Sequence, residues 1–397
     1  MLRILSAKAF VAALLVAPAA AKLLYATSYN DHAVTVLDLT DGQLTVLDKS
    51  LDCGSEPTWL TLDKHNGVLY CLNEGWGGAA SITSFKTSLT GKLTTLNVLP
   101  VLKSPVAATL FGKKNAGLAV AHYDTSAFTT YNVGNPEKLQ LFYTQNYTLS
   151  APGPRPDRQE APHVHDAILD PTGKFIVAPD LGSDAIHVFE VGADISATPR
   201  LPSIKTAPGA GPRHVAFAKT ASGTYLYSFN ELSNTVTGYK IEYAGSELKA
   251  TQLFDVATRP AGESVPAGTK AAEIEVSPDQ KFVIVSSRGE NNLQIPAFAA
   301  GGAPAGARIV SDPLVSFSID QATGALAIVQ RAPAGGRNPR GFSINKAGTL
   351  VASALQDDNR VVVYARNVTT GQLGDAVAWA TVGAGENNGP NYVLFDE

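Results

Sequence analysis

Apolar and polar residues alternate over short stretches along most of the chain, and the stretches come in pairs separated by Asp, Gly and Lys turns. That period predicts strands joined by hairpins, and no segment carries a convincing amphipathic helix. One compound pattern recurs from end to end: a proline, a short apolar strand, a turn, a strand rich in Val, Leu and Tyr, a polar loop, and two further strands. Its copies begin at "EPTWLTLD", "SPVAATLF", "APHVHDAILD", "GPRHVAFA", "AAEIEVSP" and "NPRGFSIN". Each opens a unit of roughly fifty residues, the size of a four-stranded propeller blade. The N-terminal "LLYATSYNDHAVTVLDL" lacks a first strand, and the C-terminal "GPNYVLF" reads as a first strand without partners. Together they make one blade divided between the termini. The fold class expected is therefore all-β: a seven-bladed β-propeller, closed by pairing the C-terminal strand with the N-terminal blade, which removes the open sheet edge. The 35 glycines and 24 prolines agree with so many turns.

Residues 1–21 stand apart from this pattern. Arg3 and Lys8 precede the apolar run "AFVAALLVAPAAA", too short to cross a bilayer and ending in small residues. We read a signal peptide over 1–21 and the propeller over 22–397, which makes the mature protein secreted, extracellular or held to a cell wall, with no membrane span. Cleavage leaves 29 basic against 35 acidic side chains. Without a basic excess, nucleic acid and anionic membranes are poor partners. Asn146 and Asn367 open N-glycosylation tripeptides, which fits that route. Cys53 and Cys71 are the only cysteines, and the sequence leaves them open between a disulfide and two buried thiols.

In each unit the first strand is innermost and the second returns antiparallel to it. The start of the first and the end of the second therefore share one rim of the central channel. Strand starts bring His163, His165, Arg213, His214, Glu273 and Arg340 to that rim; strand ends bring Glu74, His122, Asp180, Glu231 and Arg288. Of seven histidines only His65 and His187 fall outside it or its loops, counting His32 within. Such a concave polar pocket is the expected site. As a rim residue in contact with water, Glu231 is expected to tolerate Gln without loss of folding. The Gly/Ala/Pro-rich segment from Gly289 to about Pro313 leaves the same rim beside Arg288 and is expected to be a lid or a disordered loop.

The stretches "RQEAPHVHDAILDPTGKFIVAPDL", "GPRHVAFA", "YSFNELSNTV", "AAEIEVSPDQKFVIVSSRG" and "NPRGFSI" resemble the seven-bladed propeller lactonases, a family that includes 6-phosphogluconolactonases and fungal carboxy-cis,cis-muconate cyclases. The resemblance implies catalytic roles for His165, Arg213, Glu231 and Arg288, with Arg158, His163, His214, Glu273 and Arg340 as substrate-binding neighbours. It implies metal-free chemistry without a cofactor, on a small anionic substrate or lactone. Arginines suit carboxylates because a planar guanidinium binds them at two points. In that reading Arg213 and Arg288 hold the substrate, His165 moves the proton, and Glu231 serves as base or orients the histidine. The main expectation is a cyclase that forms or opens a lactone of a polycarboxylate. The alternatives are a lactone hydrolase of the 6-phosphogluconolactonase type and a non-catalytic cell-surface glycoprotein using the propeller as a scaffold.

Overall fold

The computed structural model describes residues 22–298 and 306–397. The signal-peptide reading of 1–21 lies outside the described residues. Seven four-stranded antiparallel sheets follow one another around a ring, and among the described residues the only helical element is a 3-10 turn at Lys113–Asn115. Five inner strands after the first blade begin at or close to a repeat read from the sequence: Pro57–Asp63, Pro105–Phe111, Pro212–Thr220, Lys270–Val276 and Pro339–Ile344. Blade 4 departs from the pattern. Its inner strand is reduced to Ile168–Leu169, while Val164 makes a single bridge to Asp180, leaving His165 and Asp166 on irregular backbone between them.

Closure occurs as the split repeat predicts. Lys22–Ser28 pairs on one side with Ala33–Thr40 and on the other with the C-terminal Pro390–Phe395, in a register that sets Leu24 opposite Phe395. The blades hold together through their faces. Side chains alternate across a strand, so Leu24 and Ala26 pack towards blade 7 with Ala352 and Val361, while Tyr25 packs towards blade 2 with Leu69 and Phe85. Apolar clusters of this kind fill each junction between neighbouring blades. Cys53 and Cys71, both fully buried in the junction of blades 1 and 2, form a disulfide. It ties the approach to blade 2 to that blade's second strand, and closing a loop of this size stabilises by about 3 kcal/mol.

The segment after Arg288 differs from the lid expected. Its described parts form a hairpin, Leu293–Pro296 with Arg308–Ser311, while 299–305 lie outside the described residues. Glu290 is buried against Arg259 and Arg331, 2.5 Å from the Arg331 guanidinium. Phe298 packs on Trp379 with Arg360 over its ring, on the outer part of blade 7. Apolar contact and a buried ion cluster thus draw the hairpin outward, and none of its described residues lines the channel mouth. Asn146 and Asn367 are both exposed.

Candidate active site

The strand starts build the channel wall through a repeated irregularity. In blades 2, 3, 5 and 7 the inner strand opens on proline followed by one residue skipped by the pairing: Thr58, Val106, Arg213 and Arg340. Asn391 holds the same place in blade 1, and the register of blade 6 slips across Ala272 and Glu273. A bulge re-aims a side chain that regular pairing would turn into the sheet. Thr58, Val106, Arg213, Glu273, Arg340 and Asn391 consequently surround the channel.

Here lies a cavity of about 270 Å³, open to solvent and walled by Glu74, Trp76, Tyr123, Arg158, Glu231, Lys270 and Arg288. His165, Val106 and Arg340 form its base and also line a chamber of about 10 Å³ beneath it, space for one water. Larger grooves between outer strands, of about 760 and 770 Å³, gather no comparable charge.

Glu231 organises one wall. Its Oε1 accepts a hydrogen bond from Arg158 Nη2 at 2.6 Å, and its Oε2 accepts one from Arg288 Nη2 at 3.0 Å. Arg213 Nε stands 3.0 Å from the same Oε2, but its N–H is not aimed at the oxygen, so that contact is an ion pair only. Arg213 donates instead to Ala272 O at 2.6 Å. Burial works to push the Glu231 carboxyl up, and Arg288, Arg213 and Arg158 together overcome it and hold the group at about 2. The side chain is 4% exposed. This corrects the picture of a water-washed, freely replaceable rim residue: Glu231 is a buried counter-ion for three guanidiniums. Nor does it orient His165, since its partners are arginines.

What holds His165 is a second imidazole. His165 Nδ1 lies 3.1 Å from His214 Nε2, and His214 Nδ1 lies 2.9 Å from Glu273 Oε1. The other ring nitrogen of His165 has no hydrogen-bond partner among the described residues. Burial, with Arg213, His214 and Arg340 nearby, keeps His165 well below its ordinary value and therefore neutral near pH 7. His214 and Glu273 line the lower chamber and not the cavity, so they stand behind His165 and do not contact substrate as expected. His163 is likewise displaced: its ring stacks on Tyr123 at 4.2 Å and reaches Glu160 at 2.9 Å, outside the cavity lining.

Arg340 is the one cavity guanidinium without an acidic partner among the described residues. Its guanidinium lies 5.8 Å above the Tyr29 ring and makes no ion pair or hydrogen bond among the described residues. Tyr29 donates to Glu74 and packs at a tilt against Trp76, ring centroids 4.6 Å apart, and the Trp76 indole donates to Glu74 at 2.7 Å. Trp76 is half exposed at the mouth. Lys270 completes the cationic lining, lowered from its ordinary value by burial and by Arg158.

Among the strand ends, Glu74, Glu231 and Arg288 reach the cavity, whereas His122 and Asp180 do not. His122 is turned into blade 3, where Thr129 and Lys103 O hold its ring nitrogens and burial lowers it to about 4. Asp180 is engaged by His163 N, Ser183 and His187. Both are the last paired residue of their strand; Glu74 and Glu231 follow theirs, and so does Tyr123, which the sequence reading missed, while Arg288 is paired with Lys270 in the blade whose register slips across two residues. One residue along a strand reverses the face. Tyr29, Trp76 and Lys270 were also missed.

The family model described as "Lactonase, 7-bladed beta-propeller" matches residues 23–387. A protein of Arthroderma benhamiae named "Probable 6-phosphogluconolactonase" is 30% identical over 345 residues, covering 87% of this chain and 82% of its own. The 6-phosphogluconolactonase of Bacillus subtilis is 27% identical over 319 residues, 80% of this chain and 82% of that one. Among solved structures, a periplasmic gluconolactonase of Pseudomonas aeruginosa superposes with a TM-score of 0.78 at 25% identity, covering 94% of this chain and 99% of the other.

Proposed function

The chain belongs to the seven-bladed β-propeller lactonases, and from that premise we propose that it is a lactone hydrolase of the 6-phosphogluconolactonase type, acting on an aldonolactone with an anionic group. The names of its relatives favour ring opening over the cyclase reading. The observation that carries the proposal is the base of the cavity, where a neutral imidazole with one unengaged nitrogen, His165, and an unpaired guanidinium, Arg340, border the same space.

In this scheme Arg340 polarises the lactone carbonyl and stabilises the oxyanion of the tetrahedral intermediate. His165 Nε2 takes a proton from water, whose oxygen bonds to the carbonyl carbon. The ring C–O bond then breaks, and the departing alkoxide receives the proton back from His165. Arg158, Arg288 and Lys270 hold the substrate's anionic group nearer the mouth, and Trp76 offers a flat face to the sugar ring. We also propose that the reaction takes place after export. Support comes from the leader-like residues 1–21, from the Cys53–Cys71 bridge, which belongs in an oxidising compartment, and from the exposed sequon residues Asn146 and Asn367.

The test is a screen of purified protein against glucono-δ-lactone and 6-phosphogluconolactone by acid release, with carboxymuconate followed by absorbance. Lactone opening well above the spontaneous rate is expected. Turnover of carboxymuconate alone would restore the cyclase, and folded protein idle on all three would reject both.

A further inference from the structure

Hydrolysis as drawn leaves two buried groups without a task, His214 and Glu273, although they continue a line of contacts inward from His165. Two arrangements of protons satisfy both contacts as hydrogen bonds without an imidazolium. In one, ionised Glu273 accepts from His214 Nδ1–H, His214 Nε2 accepts from His165 Nδ1–H, and His165 Nε2 presents a lone pair. In the other, protonated Glu273 donates to His214 Nδ1, His214 Nε2–H donates to His165 Nδ1, and His165 Nε2 presents an N–H. The two differ by one proton and by the direction of every bond in the line.

We propose that His165, His214 and Glu273 form a proton relay that converts one arrangement into the other during catalysis. The proposal rests on the hydrolase reading above. As the O–H bond of water breaks, its proton joins His165 Nε2, the proton of His165 Nδ1 passes to His214 Nε2, and that of His214 Nδ1 passes to Glu273. The carboxylate becomes a carboxylic acid while the hydroxide oxygen bonds to the lactone carbonyl carbon. The transfers reverse to protonate the alkoxide released on ring opening.

The surroundings explain why the proton should travel. Arg213 from blade 5 and Arg340 from blade 7 both disfavour a charged ring at His165 or His214, in addition to burial. Around Glu273, burial dominates and pushes the carboxyl upward against the pull of Arg213 and Arg340. Glu275 on its own strand, Asp166 from blade 4 and Tyr392 from blade 1 complete the titratable neighbourhood. Asp166 is the rival acceptor, but its oxygen is 4.0 Å from His214 Nδ1, and its carboxylate is engaged by Ala167 N at 2.7 Å and Val215 N at 3.2 Å. Trp59 meets the His214 ring edge-on at 5.6 Å, helping to fix its plane.

The first test needs no substrate. In ¹⁵N-histidine spectra of the wild-type protein between about pH 5 and 10, His165 and His214 should exchange tautomers together, Nε2–H at the acid end and Nδ1–H at the alkaline end, with one midpoint above the ordinary glutamate range. Independent titration, or a fixed tautomer throughout, overturns the relay. The second test is Glu273→Gln. The amide oxygen so introduced can keep the bonds from Ile274 N and His214 Nδ1–H, so both rings stay oriented but the line has no terminal acceptor. We expect kcat to fall roughly ten- to a hundredfold with KM nearly constant, and the acid limb of the rate profile to disappear. Wild-type kcat and an unchanged profile would reduce Glu273 to an orienting group and overturn the proposal. A coupled tautomer exchange in a protein that opens no lactone would instead reject the hydrolase reading, and with it the relay's part in ring opening, while leaving the coupled proton line itself standing.

Discussion

Replacing Glu231 with Gln tests the view that the arginine wall depends on one buried negative charge. The glutamine has the same shape but presents an NH₂ group to guanidinium donors in place of one carboxylate oxygen. Arg213 and Arg288 then face each other, and Arg340, without compensation. A carboxyl held at about 2 against an ordinary 4.5 reflects about 3 kcal/mol of favourable interaction with its surroundings. That agrees with the range for removing one partner of a buried ion pair. For a chain of this length the melting temperature should fall by about 4 °C at pH 7. The pH dependence has a definite sign. Because the folded-state affinity is depressed, the stabilisation is complete above about pH 4.5 and is lost as pH falls towards 2. Urea midpoints of wild type and E231Q should therefore be furthest apart near neutrality and converge in acid. Turnover should drop roughly ten- to a hundredfold as the guanidiniums shift. Equal stability at pH 7, or a gap that stays constant into acid, would refute the counter-ion role.

Arg340→Ala should lower kcat/KM roughly a hundred- to a thousandfold while leaving stability equal or slightly higher, since it removes like-charge repulsion on Arg213 and Arg288; near-normal kcat/KM would remove Arg340 from the chemistry. Deleting 389–397 takes away the inner strand of blade 1 and exposes an edge at Lys22–Ser28, so the yield of soluble folded protein should collapse; an undiminished yield would contradict ring closure. Phe298→Ala should lower the melting temperature by about 2 °C with KM unchanged, because the ring packs on blade 7. A raised KM at constant melting temperature would return the hairpin to the role of a lid.

The blade count, the split blade and the meeting of Arg213 with Glu231 were legible because each follows from repeat spacing and antiparallel return. Errors arose where a single residue of phase matters. The bulges that turn Arg213 and Arg340 inward leave no mark beyond the preceding proline, and His122 looked like a rim group when Tyr123 occupies that place. Tyr29 ends a strand whose repeat lacks its own beginning, so nothing aligned it with Glu74. The contact of His214 with Glu273 crosses two blades and depends on bulges in both, which spacing within one repeat does not encode. Glu231 was correctly placed, but its burial was misjudged, because three arginines from separate parts of the chain enclose it.

The strand Pro390–Phe395 pairs with Lys22–Ser28 from the far end of the sequence, and it carries part of the channel floor. Asn391 accepts from Thr27 Oγ1 at 2.5 Å and donates to Pro57 O at 2.9 Å, while Tyr392 stacks on Trp59 at 4.1 Å. Lys22–Ser28, made early, waits for this partner through the synthesis of nearly the whole ring. A chain stopped short by stalled translation would therefore have most of its arginines but no finished floor beneath His165. Competence therefore arrives with ring closure itself, so only molecules that have made the Pro390–Phe395 strand and paired it would present a working site.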